Sequence, residues 1–85
     1  MAHAKTRSAH KPGEPLTVLS GRIAQVVRLL CSGVRQEEIG KQMGISTQTV
    51  KVHLQRAYNR VHISGKFCKQ VRLVYLVSIG EVELL

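Results

Sequence analysis

Acidic side chains are scarce in this chain. Five stand against 13 lysines and arginines, and none falls between Ile39 and Ile79. Carboxylate pairs for acid–base chemistry are therefore missing from the middle of the chain. His3, His10, His53 and His62 have no carboxylate or nucleophile arranged around them, so no enzyme is legible. The two cysteines, Cys31 and Cys68, stand apart without a CxxC or a Cys/His cluster. That excludes the close ligand spacing of a structural zinc, and neither a metal nor a cofactor is implied. Reduced, partly buried thiols in a cytoplasmic protein fit better. No apolar run opens the chain, and Val71–Ile79 is far too short to span a bilayer, so neither a signal peptide nor a membrane partner is expected. Internal repeats and low-complexity segments are absent as well. Aromatics are few, and Tyr58, Phe67 and Tyr75 fall at packing positions rather than on a stacking platform for single-stranded RNA.

What is present is positive charge. Lys41, Lys51, Arg56, Arg60, Lys66, Lys69 and Arg72 occupy the stretch that has no acid. A block of one sign favours a polyanion, and nucleic acid is the commonest one. Charge alone also allows a solvated basic surface or a face laid on anionic lipid. At 85 residues the chain can make one domain with a modest core.

Residues 1–15 (MAHAKTRSAHKPGEP) lack apolar periodicity and carry Lys5, Arg7 and Lys11. They are expected to form a disordered basic arm, which either stays loose or reaches phosphates or a minor groove on binding. Residues 16–85 are expected to form the folded domain. Ile23, Val26, Val27 and Leu30 place an amphipathic helix over about Ser20 to Cys31, with Ser20 as its cap, Leu19 as a staple and Gly33 as its stop. A short helix from about Gln36 to Met43 follows, with Glu37 and Glu38 at its favourable end and Ile39 and Met43 inward. Gly40 lies on that inward side, where a missing side chain would let the next helix approach closely. Gly44 ends this helix.

Ser46 is placed to cap a third helix running to Val61, in which Val50, Leu54, Ala57 and Val61 form an apolar stripe. Its other side carries Gln48, Lys51, Val52, Gln55, Arg56 and Asn59. Donors, cations and one small apolar tip suit base edges and phosphates in a major groove. Helix, tight turn and helix make a helix-turn-helix. A last helix from about Lys66 to Ile79 is apolar on two sides: Phe67, Val71, Val74 and Tyr75 on one, Leu73, Leu76 and Val77 on the other. Self-association through Leu73, Leu76 and Val77 is the expected resolution, against a tail (Val82, Leu84, Leu85) folded over the second face.

Glu38-Ile39-Gly40, Met43-Gly44-Ile45-Ser46 and Thr49-Val50-Lys51-Val52-His53 resemble the DNA-binding domain of LuxR/GerE-type transcription regulators, whose run is approximately E-I-A, then L-x-I-S-x-x-T-V-K-x-H. The resemblance spans about Leu19 to the C-terminus. It implies an all-α, four-helix domain from a bacterium or phage, with the third helix in the major groove of double-stranded DNA and the fourth making a homodimer on an inverted repeat. Carried over, Lys51, Val52 and Gln55 contact bases. Ser46, Thr47, Gln48, Thr49, His53 and Arg56 contact the backbone, joined by Lys41 and Arg22.

Departures from the family pattern are Ile23 where an acid is usual, Val34-Arg35-Gln36 without a good cap, and Gly65-Lys66-Phe67-Cys68-Lys69 before the last helix. A sensor domain is not found, so a stand-alone regulator controlled by expression level or by a partner protein is expected. The run from Gly44 through Ala57 also resembles region four of sigma factors, and an adaptor on RNA polymerase and promoter DNA is the alternative.

Overall fold

The computed structural model describes residues 17–65 and 68–85. The order is β1 (Thr17–Leu19), α1 (Gly21–Cys31), α2 (Gln36–Met43), α3 (Thr47–Arg60), α4 (Lys69–Ser78) and β2 (Val82–Leu84). The all-α expectation holds, with four helices among the described residues. The basic arm expected over residues 1–15, and Lys66 and Phe67, lie outside the described residues.

α3 is the hub, packed on α1 along its length and on α2 across the turn. Val50, Leu54, Ala57 and Tyr58 of α3 meet Ala24, Val26 and Val27 of α1 and Ile39 of α2 in one buried cluster. Helical spacing explains each set, since residues three and four apart share a face. Ile23, Leu30, Met43 and Val61 border this core, half-buried. Ser20 does occupy the cap position of α1, but its side chain makes no cap hydrogen bond; its carbonyl accepts from the Ala24 N–H instead. α2 starts without a side-chain cap at Arg35, as its sequence implied.

The α2–α3 turn is built by Gly44 in the left-handed conformation at φ 70°. The Ile45 N–H donates back to the Gly40 carbonyl at 2.9 Å, the closing bond of a Schellman turn. Gly40 is buried, and a Cβ there would stand 2.7 Å from the Ile45 carbonyl oxygen. The missing side chain therefore admits the turn itself. The same closure ends α3, where the Ile63 N–H donates to the Tyr58 carbonyl and His62 takes φ 59° without being glycine.

The sheet was not foreseen. β1 and β2 pair in parallel, Thr17 opposite Val82 and Leu19 opposite Leu84. Leu19, expected as a helix staple, is a fully buried strand residue. β2 packs against α4, and Arg28 donates to the Leu84 carbonyl at 3.2 Å. The tail thus folds back over α4.

This corrects the expected dimer face. Leu73 is 0% exposed, and Leu76 and Val77 pack against the core, so these three hold α4 to its own domain. The outward face is the other one, with Val71 68% and Tyr75 60% exposed and Ile79 beside them. Once the tail supplies Val82 beneath α4, the Leu73 side is the covered one. The helix itself is shorter than expected, since Cys68 stands outside it at φ 60° as its N-cap.

Candidate nucleic-acid interface

Ser46 fixes where the exposed helix begins. Its Oγ accepts from the Thr49 N–H at 3.1 Å and lies 2.9 Å from Thr49 Oγ1. One of the amides left unpaired in the first turn is thereby satisfied, and the helix axis is set against the Gly44 turn. With the apolar edge of α3 in the core, Lys51, Gln55, Arg56 and Gln48 are exposed and Val52 is 39% exposed. Lys51, Val52 and Gln55 thus share the outward surface of one 14-residue helix, about 21 Å long. Thr47, Thr49 and His53 are half-buried at its margins.

The His53 Nδ1 is buried with no hydrogen-bond partner, so any hydrogen bond from this ring to an outside group must run through Nε2. Lys41, in the last turn of α2, and Arg22, at the start of α1, are exposed. The structure does not bring these two onto α3 itself.

Two residues make contacts that the sequence pattern alone does not reveal. Arg35 lines an open cleft together with Gln36, Glu37, Thr47 and Lys51, which sets a further cation beside the start of α3. Its signal was faint: a basic residue one position ahead of an uncapped helix. Asn59, on the polar side of α3 with the other residues suited to base edges and phosphates, has a contact that its sequence position alone does not show: it accepts a hydrogen bond from Gln55 Nε2 at 3.2 Å. Spacing of four residues along a helix was the clue.

Electrostatics agree with an anionic partner. Lys51, Arg56 and Arg60 project from α3; Glu37 shares the cleft with Lys51 and Arg35, Glu38 sits beside it in the first turn of α2, and Glu81 and Glu83 lie near the end of the chain. Among the described residues no helix is long and apolar enough to cross a membrane, and no group of His, Cys, Asp and Glu could hold a metal ion.

A capped helix with a buried apolar edge and an exposed basic and amide edge, set on a glycine turn, defines a helix-turn-helix DNA-binding domain. Residues 17–67 match the family described as bacterial regulatory proteins, luxR family (GerE), and the chain belongs to that family. It is also 37% identical, over 51 residues, to YhjB of Escherichia coli strain K12, named as an HTH-type transcriptional regulator. That match covers 60% of this chain but 26% of YhjB, so the chain spans about a quarter of that relative's length. No solved structure matches the chain. The family is one of DNA-binding regulators, not of enzymes.

Proposed function

We propose that the chain is a sequence-specific transcription regulator, working in the cytoplasm, that binds an inverted-repeat operator as a homodimer. α3 lies in the major groove, where Lys51 donates to guanine, Val52 meets a thymine methyl and Gln55 pairs with adenine. Ser46, Thr47, Gln48, Thr49, His53 and Arg56 approach the sugar–phosphate backbone, with Lys41 and Arg22 in outer positions. The observation that carries this reading is the division of α3: Val50, Leu54 and Ala57 are buried while Lys51, Gln55 and Arg56 are exposed on the opposite side. The outward face of α4, with Val71, Tyr75 and Ile79, supplies the apolar surface for the second copy.

Selection from random duplex DNA at two salt concentrations tests it. The selected sites should be inverted repeats with half-sites about 10 bp apart. Lys51→Ala should cost about 1–3 kcal/mol and relax one base position. Arg56→Ala should weaken all sequences alike and lower the salt slope by about one. A change of base preference on Arg56→Ala would overturn the assignment of faces, and selected sites without symmetry would overturn the dimer. A monomer at every concentration in sedimentation would favour the polymerase adaptor instead.

A further inference from the structure

Gln55 does not stand alone on the reading face. One of its Nε2 hydrogens is donated to Asn59 Oδ1 at 3.2 Å, one turn further along α3, and both residues are exposed. A glutamine amide has two N–H groups and one carbonyl. With one N–H committed, it has a single N–H and Oε1 left to offer. That pair complements adenine, whose major-groove edge carries the N6 donor and the N7 acceptor. It opposes guanine, where O6 and N7 both accept and Oε1 would face O6. Turning the Gln55 amide over to present two donors breaks this bond unless the Asn59 amide turns over with it and donates Nδ2–H to Oε1, so the two amides are coupled.

We infer that Asn59 is a positioning residue that holds the Gln55 amide in the adenine-reading orientation. It sets the choice of base without contacting the base. This rests on Gln55 reaching a base edge, as proposed above.

Binding of the full chain to a selected operator, varied one base at a time, tests it. Gln55→Ala first identifies the position that Gln55 reads, and that position should be adenine in both half-sites. Asn59→Ala should lower the adenine-over-guanine ratio there about five- to tenfold, the effect of one neutral hydrogen bond, with other positions and the salt slope unchanged. Asn59→Asp keeps an acceptor for Nε2 and should restore the ratio, although binding to every sequence weakens through the added negative charge. If Gln55→Ala erases a preference that Asn59→Ala leaves intact, or if Asn59→Ala weakens all sequences alike, the positioning role is refuted while the reading of Gln55 stands. Guanine selected at that position refutes the orientation. If Gln55→Ala affects no position, the base contact itself fails.

Discussion

Leu73→Ala separates the two sides of α4. Leu73 has no exposed surface and sits where α4 meets the core. Truncation to alanine removes roughly three carbon groups at about 0.8 kcal/mol each, and adds the cost of the cavity left behind. A loss of about 3 kcal/mol follows. For a chain of 85 residues, total stability is on the order of 4–13 kcal/mol, so the variant keeps only part of it. At roughly 4–8 °C per kcal/mol, Tm should fall by about 12–24 °C. Urea melts at a single protein concentration should show a lower midpoint with an unchanged slope, because the surface exposed on unfolding hardly changes. Tyr75→Ala, on the outward face, should leave monomer stability within about 1 kcal/mol and act on sedimentation instead. If Leu73→Ala kept its Tm and abolished the proposed self-association, α4 would be rotated by about half a turn from the arrangement described, and the reasoning on its two faces would be wrong.

Other outcomes follow from single contacts. Ser46→Ala removes the acceptor for the Thr49 N–H and should cost about 1 kcal/mol of stability in a urea melt. Gly40→Val places branched carbons against the Ile45 carbonyl and should cost about 1–3 kcal/mol or more, with DNA binding lost in parallel as the turn opens. His62→Gly relieves a left-handed backbone at φ 59° and should raise stability by about 1 kcal/mol, less the extra chain entropy of glycine; a lower Tm would contradict this. Burial pushes the Cys31 thiol up from its ordinary pKa, which leaves less thiolate, whereas Cys68 is exposed. Iodoacetamide at mildly alkaline pH should therefore label Cys68 first, as peptide mapping would show.

The α2–α3 half of the domain was written in the sequence because its rules are local. Ser46 at a helix start, apolar residues at positions 50, 54 and 57, and glycines at 40 and 44 act over distances of four to six residues, and α2 and α3 lie where those spacings put them. Lys51, Val52 and Gln55 came out exposed for the same reason: burying one edge of a helix exposes the other. The choice between the two apolar faces of α4 was not local. Leu73 and Tyr75 are both large and apolar enough to be buried, and only the position of Val82 beneath the helix decides which is. That position depends on β2 pairing with β1 across more than 60 residues. A three-residue strand such as Val82-Glu83-Leu84 carries too little alternation to reveal its partner. The sequence by itself determined α3 and what it displays, because helix periodicity and capping act between near neighbours. Only the tertiary structure decided which side of α4 is left exposed, because that turns on a contact between the two ends of the described chain.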